Sequence, residues 1–592
     1  MNNPVLPRLS ALRREMEERA LQAVVFFGTD PHQSEYAAPR WKDRLWMSGF
    51  SGSAGTVVVT ETEAALWTDS RYWLQATDQL DGSGIVLMAD GDPSVPSLPD
   101  WLISKLSPGA RVGVDYQTLS VASERRLSHI LGTKGIALVS FESLLNDLWT
   151  DRPARPCEPL YAIDLHYVGK SRDQKITLLR DAAKNVGADA MFLSALDEIA
   201  WLLNLRGNDI AYNPFFFSYL LIRETDTLLF ADIHAVSKEL EELLAEEHIT
   251  LKAYEAVGEM LREFEGTLFV DPASFSMALK GALSPGVRIV EEQSPVAALK
   301  ARKEAVEVEG FRHALRKDGV ALVRFWMRLE RMLERGDGDE ISVASLLYEE
   351  RSRMPGFVGE SFAPIVGFAE HGAVVHYSAT KESAIPVTGR GLLLIDSGGQ
   401  YIEGTTDITR VFAVGKATEE EIFDYTTVLK AHISLATAIF PIGTVGTRLD
   451  AMARRPMWEA GLNYGHGTGH GVGAFLGVHE GPQSISTKLL PVPIEPGMVC
   501  SNEPGVYREG KHGIRIENLI LAVEKFNTPF GRFLGFETLT PFPFECKLID
   551  VSLLTEGERQ WVDRYHAWVF ELLSSELNPQ ERSFLAAKTG VV

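Results

Sequence analysis

Five side chains between Asp396 and Glu517 have the types and spacing of a metal centre: Asp396, Asp407, His470, Glu503 and Glu517. Asp396 and Asp407 stand eleven residues apart in LLLIDSGGQYIEGTTDITR, on either side of a Gly-Gly pair, so two strands of one hairpin can aim both inward. His470 lies in GHGTGHGVGAFLGVHEGP, where the glycines deny a stable helix and let the backbone pass close to a ligand. Glu503 precedes Pro-Gly in CSNEPGVY, which biases it to an extended or turn conformation. In GIRIENLI, Arg515 and Glu517 share one strand face while Ile514 and Ile516 take the other. Four carboxylates and an imidazole in one pocket repel unless cations lie between them. Two divalent ions, roughly 3.5–4 Å apart and bridged by carboxylates, would neutralise that charge. The expected chemistry is dinuclear metal-assisted hydrolysis.

Each element alone has a plainer reading. An Arg-x-Glu strand is often a solvated face with a salt bridge, an Asp before Ser-Gly-Gly a turn former, and a lone buried histidine simply hydrogen-bonded. The weight comes from the ordered set and from His466, His470 and His479 standing together among glycines. His479-Glu480-Gly-Pro is not an HExxH helix, so a mononuclear zincin site is not indicated.

The elements that must position these groups belong to a long chain. With 592 residues and about 150 per domain, three or four domains are expected. The net charge of −22 argues against nucleic acid, whose phosphates need a basic surface. Three scattered cysteines indicate neither a disulfide framework nor a thiolate zinc site, which fits a reducing cytoplasm. The first residues read as an amphipathic helix leading into a strand, without a signal peptide's uncharged core, and no apolar run is long enough to span a membrane.

The fold class expected is α/β with an α+β third part: two tandem α/β units at 1–153 and 154–296, then a catalytic domain at 297–592. AVVFF, TVVVT and EAALWTD are strand candidates in the first unit. Residues 154–158 form a linker, and a helix from Ser171 and a strand AMFLS open the second unit. There LDEIAWLLNLRGND answers WKDRLWMSGFSGSAG, with Trp201 against Trp46 and Gly207 against Gly52. One long charged helical region, from about Leu299 to Gly336, introduces the third domain. GLLLID and TTDITRVFAV pair as a hairpin. A helix capped by Thr418 and Glu421 keeps Ile422, Tyr425, Leu429, Ile433 and Ala436 on one face until Pro441 and Gly443 end it. The last long stretch, from Asp550, is a helix with aromatic residues inward.

With these motifs in place, the sequence closely resembles the Xaa-Pro aminopeptidases (aminopeptidase P) of the three-domain cytosolic type, within the pita-bread metallopeptidases. The resemblance covers almost the whole chain: DSRYWLQA, DEIAWLLNLRG with NPFFFSY, the catalytic motifs, and the tail FETLTPFPFECKLIDVSLLT, which matches a C-terminal extension from about 530 to 592. It implies two creatinase-type N-terminal domains before a pita-bread catalytic domain. It implies that Asp396 chelates the first metal, Asp407 and Glu517 bridge both, and His470 and Glu503 complete the second. The metal implied is Mn²⁺, with Zn²⁺ and Co²⁺ left open by the donor set. The activity implied is release of the N-terminal residue before proline, by a hydroxide bridging the two ions, with Glu503 moving the proton. His479 would stabilise the oxyanion and His376 hold the substrate backbone. Candidates for the proline pocket are Tyr507, His466 and Arg515, and Arg71 of DSRYW is a substrate contact by resemblance or otherwise a surface arginine. A homodimer is implied too, with Trp458 as a candidate anchor. The alternatives are a prolidase confined to Xaa-Pro dipeptides and a non-catalytic pita-bread binding module, the latter marked by missing ligands; all five are present.

Overall fold

Short apolar strand runs separated by helical ones build two sheets in the first half of the chain. The computed structural model describes residues 3–141 and 144–591 and divides into two compact units. The first comprises the chain up to Ile163 with Lys170–Val296, and the second Asp164–Gly169 with everything from Ala297.

In the first unit, helix α1 (Val5–Glu18) buries Val5, Leu9, Leu12 and Met16, the single apolar stripe expected of it. Strands β1 (Ala23–Phe26), β2 (Thr56–Thr60), β3 (Ala64–Thr68), β4 (Val86–Ala89), β5 (Arg111–Val114) and β6 (Ala137–Ser140) form a sheet ordered 4-3-2-1-5-6. Helix α2 (Arg172–Asn185) then leads to β7 (Ala190–Leu193), β8 (Ser218–Arg223), β9 (Thr227–Ala231), β10 (Ile249–Ala253), β11 (Thr267–Val270) and β12 (Arg288–Glu291), ordered 10-9-8-7-11-12. The order repeats, and so do the senses. The central three strands are antiparallel and the outer three join in parallel in both sheets. The repeat glimpsed in matching Trp and Gly positions is thus a repeat of topology. Residues 154–158 carry no regular secondary structure, but Arg155 is held: its guanidinium lies 3.9 Å from the Tyr254 ring centroid and pairs with Asp232 and Glu255.

The second unit opens differently from expectation. The single long helix is two, α3 (Pro295–Ala301) and α4 (Ala305–Arg335). The residues between them have other partners: Arg302 bridges to Met498, the Lys303 amine goes to Glu480, and Glu304 caps α4 in a reciprocal box with Glu307. Helix α5 (Glu340–Ser352) follows.

All strand pairs in this unit are antiparallel among the described residues. Strands β14 (Ile365–Phe368), β15 (Gly391–Ser397) and β18 (Ile408–Val414) make one sheet, with β15 central. β13 (Phe357–Glu360), β16 (Gly399–Tyr401) and β17 (Gly404–Thr405) make a second. The expected hairpin of GLLLID with ITRVFAV therefore exists as the pair β15–β18, but the chain leaves it to build β16 and β17 before returning. Asp407 lies on neither strand; it sits in the loop just before β18. A six-stranded sheet holds β19 (Ile439–Pro441), β26 (Gly531–Thr538), β25 (Asn518–Thr528), β22 (Val499–Asn502), β20 (Gly469–Gly471) and β21 (Glu480–Ile485) in that order. β23 (Gly505–Arg508) and β24 (His512–Arg515) form a separate hairpin.

Helix α6 (Glu419–Ala436) has the reciprocal Thr418–Glu421 cap, but it is not amphipathic in the expected way. Thr426, Thr427 and His432 are buried along with the apolar face, because α7 (Gly446–Glu459), β22, the β23–β24 hairpin and α8 (Glu556–Leu573) all pack on it. It ends at Ala436; Pro441 instead closes the edge strand β19, where its missing N–H does no harm. α8 turns Tyr565 inward, stacked on Trp561. No helix among the described residues is long and apolar enough to cross a membrane.

Behind β15 the core holds a polar trio. Arg351 makes two bonds to Asp318, at 2.7 and 3.0 Å, Tyr401 donates to the same carboxylate at 2.9 Å, and Arg351 also donates to the Ser397 carbonyl. Arg351 and Asp318 side chains are 1% and 2% exposed, so removing one partner strands a charge. Asp318→Ala is expected to cost about 3–5 kcal/mol. Thermal unfolding followed by circular dichroism checks this; an unchanged midpoint contradicts it.

Candidate metal centre

Five elements deliver the five candidate ligands, and each does so for a local reason. Asp396 is the penultimate residue of β15, opposite Thr409 of β18. Asp407 precedes β18 by one residue. His470 is the middle of β20, whose glycines are required: a Cβ on Gly469 would lie 2.1 Å from the Ser501 carbonyl oxygen, and one on Gly471 would lie 2.1 Å from that of Glu480. Glu503 follows β22, its N–H donating to the Thr468 carbonyl at 2.8 Å. Glu517 stands between β24 and β25, its N–H donating to the Thr409 carbonyl at 3.2 Å. The strand read from GIRIENLI is thus interrupted, yet its alternation holds: Ile514 and Ile516 enter the apolar core while Arg515 and Glu517 face the acidic cluster.

Donor atoms of Asp407, His470 and Glu517 lie within 4.8 Å of one another. His470 Nε2 is 3.5 Å from Asp407 Oδ2 and 3.4 Å from Glu503 Oε1. These separations are too long for good hydrogen bonds and suit neighbouring ligands of one ion held by bonds of about 2.1 Å. His470 Nδ1 is 2.9 Å from the Gly471 carbonyl, which can only accept, so in the neutral imidazole the proton sits on Nδ1 and the Nε2 lone pair is left for a metal. Asp396 Oδ2 accepts from Arg515 Nη2 at 2.6 Å, while Asp396 Oδ1 is buried with no hydrogen-bond donor. A buried carboxylate oxygen left in that state is costly unless a cation meets it. Glu517 Oε2 accepts from Thr409 Oγ1 at 2.7 Å and Glu503 Oε1 from Ser501 Oγ at 3.0 Å. The donor set, four carboxylates and one imidazole, fits two divalent ions.

The charges record the same frustration. Burial pushes Asp396 up to about 6, against the pull of Arg515 and with Asp407 and Glu503 adding to it. Burial, then Asp407, Glu503 and Asp396, push Glu517 well above the carboxylate range. Burial alone would lower His470, but Asp407 and Glu503 outweigh it and raise the group to about 9. His470 and Glu517 therefore hold protons at pH 7 when no cation is bound, Asp396 does so only below about pH 6, and metal ligation must expel them. Adding Mn²⁺ to metal-free protein at pH 7 is expected to release at least about one proton per chain, with affinity rising as pH increases toward 9. Calorimetry in buffers of different ionisation enthalpy reads this; a heat independent of buffer contradicts it.

The cluster is open on one side. The His470 and Glu503 side chains are 21% and 18% exposed, whereas Asp407 is 5% and Arg515 2%. On that open side His479 is exposed, its ring centroid 4.4 Å from that of His470. A second chain of donors runs from Asp396: Arg515 Nη1 donates to the Tyr507 hydroxyl at 2.6 Å, and Tyr507 donates to His466 Nε2 at 2.8 Å. The direction is set by His466 Nδ1, which donates to the Gly467 carbonyl at 2.7 Å and so leaves Nε2 as acceptor. Burial pushes the Tyr507 phenol up to about 12, keeping it a neutral donor. His466, Tyr507 and Arg515 are therefore brought together as a wall of the site, and His466 is not a sixth ligand in this geometry.

His376 is half-buried in the turn after the short 3₁₀ segment Ala369–Ala373, whose Gly372 backbone meets Gly513 of β24 so closely that a Cβ on Gly513 would lie 1.7 Å from the Gly372 oxygen. Arg71 lies in the other unit, in a two-bond pair with Asp69 at 2.7 Å. Several positioning residues gave no signal in the sequence reading. The fully buried Glu340 accepts from Phe368 N–H, His371 Nδ1, Tyr377 OH and Ile385 N–H, gathering the loop that carries His376. Arg410 donates to the Glu517 carbonyl at 2.6 Å and to Tyr565 of α8 at 3.1 Å, so α8 reaches the backbone of a candidate ligand. An ion-pairing residue at the start of a helix, or an Arg in a strand, reads as surface in sequence; only the four donors around Glu340 tell otherwise.

A model of metallopeptidase family M24 matches residues 309–524, models of the creatinase/prolidase N-terminal domain match 8–148 and 151–307, and one of the C-terminal region of that peptidase family matches 532–592. The probable Xaa-Pro aminopeptidase P of Laccaria bicolor is 41% identical over 97% of this chain and 91% of its own length. Aminopeptidase P2 of Arabidopsis thaliana is 40% identical over 96% and 86%. The crystal structure of the X-prolyl aminopeptidase from Caenorhabditis elegans, described as a cytosolic enzyme with a di-nuclear active site, superposes with a TM-score of 0.94 at 33% identity, covering 99% of this chain and 100% of that one.

Proposed function

This chain belongs to metallopeptidase family M24, and from that premise we propose how it works. It is a metal-dependent exopeptidase that hydrolyses the bond between an N-terminal residue and a following proline in peptides. The observation that carries the mechanism is the meeting of Asp407, His470 and Glu517 beside the bare Asp396 Oδ1.

In our reading Asp396 would serve the first of two divalent cations, His470 and Glu503 the second, and Asp407 and Glu517 would be shared by both. Two such cations would supply Lewis acidity, lowering the pKa of the attacking water toward neutrality and polarising the scissile carbonyl. Glu503, on the open side, takes the proton from that water and returns it to the leaving proline nitrogen. Ser501 Oγ fixes the carboxylate for this work by donating to Oε1. His479 donates to the developing oxyanion, and His376 holds the substrate backbone. Proline offers no N–H at the scissile bond, so its ring must be selected by shape; Tyr507, His466 and Arg515 wall that pocket. Arg515 has a second task, neutralising Asp396 Oδ2 so that only Oδ1 is left for metal.

We place Mn²⁺ in the site, on the family's habit and the oxygen-rich donor set, with Zn²⁺ and Co²⁺ as competitors. Arg71 is assigned to the substrate, the functional boundaries to 153/154 and 296/297, and the protein to the cytoplasm, by likeness to the cytosolic nematode enzyme. A homodimer is assigned with Trp458, 53% exposed, as its anchor.

A panel of peptides tests the activity. Xaa-Pro-Yaa substrates are expected to be turned over with kcat/KM at least about tenfold above the Xaa-Pro dipeptides, because remote contacts add binding energy. Xaa-Ala-Yaa peptides should be poor substrates. Turnover confined to dipeptides would make the enzyme a prolidase, and cleavage indifferent to proline would remove the pocket assigned to it.

A further inference from the structure

One cluster of buried charges beside the site has no part in the mechanism above. Glu480, the residue after His479, is buried, and its carboxylate is held by two lysines: Lys300 Nζ at 2.9 Å on Oε2, and Lys303 Nζ on Oε1. The three side chains are 1–2% exposed. Lys303 Nζ also donates to the Lys300 carbonyl at 2.8 Å. Both lysines come from the junction of α3 and α4, where the helix breaks.

Such a cluster is a poor source of stability. Each ion loses several kcal/mol of hydration, two ammonium groups against one carboxylate leave a net charge, and apolar side chains of similar volume would pack as well. What it supplies is direction, because one cation on each oxygen fixes both the place and the plane of the carboxylate. The residue so fixed closes a short loop. Gly471 pairs with Glu480 across β20 and β21, so the segment between them leaves from His470 and returns at His479. Gly473 presses on the same carboxylate: a Cβ there would lie 2.8 Å from Glu480 Oε2. The result is two histidine rings 4.4 Å apart, one a metal ligand and the other exposed beside it.

We propose that Lys300, Lys303 and Glu480 form a positioning clamp that aims His479 at the reacting carbonyl. The clamp touches neither substrate nor metal; it acts through His479, and so rests on the role given to that residue above.

The test uses full-length, Mn²⁺-loaded enzyme and an Xaa-Pro-Yaa peptide. Replacing the three charges together (Lys300→Met, Lys303→Met, Glu480→Met) is expected to lower kcat by about 30- to 100-fold, the scale of a misplaced catalytic group, with KM within about threefold. Two metals per chain should remain by elemental analysis. In a His479→Ala background the same triple change should alter kcat less than about threefold, because the effect runs through a side chain already gone. Glu480→Gln, which keeps the shape and should fold, is expected to show a smaller loss with the same dependence on His479. An unchanged kcat, an equal loss with and without His479, or loss of metal would each overturn the clamp. Wild-type enzyme without Xaa-Pro activity would instead overturn the reading of the site itself.

Discussion

Glu503→Gln is expected to lower kcat by about 10³–10⁴, close to the full contribution of a general acid–base group. At the upper end that is about 5 kcal/mol of transition-state stabilisation. The substitution is nearly isosteric. It keeps an oxygen for the Ser501 hydroxyl and leaves untouched the backbone bond from Glu503 N–H to Thr468. Fold and thermal midpoint should therefore hold, and KM should move little, because the lost proton transfer belongs to the transition state. The loss should also resist higher metal concentration, since a neutral amide cannot take a proton at any occupancy. Steady-state kinetics over a range of Mn²⁺ concentrations reads this; recovery to within tenfold of wild type would reduce Glu503 to a metal ligand with no proton to move.

Asp407→Asn is expected to remove activity by a factor on the order of 10³ or more by a different route. Asp407 shares the cluster with His470 and Glu517: it meets His470 at 3.5 Å, and its charge helps push both Asp396 and Glu517 upward. An amide there cannot bridge two cations as a carboxylate does. Elemental analysis should find fewer than two metals per chain, and activity should return partly at high Mn²⁺. The contrast with Glu503→Gln is the useful feature, because one loss follows occupancy and the other does not. Full activity with two metals bound would show that the site does not use Asp407 as a bridge.

Much of this candidate site was legible in the chain because a cluster of carboxylates and an imidazole beside glycines and strand ends stands out against an apolar core pattern. Asp396, Asp407, Glu503 and Glu517 stand at or just beyond strand ends, and the glycines around His470 prove necessary at the atomic level, where Gly469 and Gly471 touch neighbouring carbonyls. Path was less legible than pairing. The β15–β18 pair follows from alternating apolar residues, but nothing local tells that the intervening residues build two strands of another sheet and return Asp407 on a loop. The same limit explains α6: a helix packed from several sides has no single stripe, and its buried Thr426, Thr427 and His432 answer to neighbours far along the chain.

Charged residues were the least legible. Lys300, Lys303, Glu340 and Glu480 all carry the signature of a solvated surface, and only tertiary packing converts them into anchors. His466 resembles His470 in sequence, flanked by glycines four residues upstream, yet its lone pair faces Tyr507 and its role is to order the pocket wall. The tandem architecture of the first unit, in contrast, was visible in a few matched positions, because each repeat reuses one sheet order with identical strand senses.

Anomalous diffraction from crystals grown with Mn²⁺ reads the cluster directly. Two peaks about 3.5–4 Å apart are expected, both touching Asp407 and Glu517, one beside Asp396 Oδ1 and the other beside His470 Nε2. A single peak, or two that leave Asp396 Oδ1 bare, would contradict the two-metal reading.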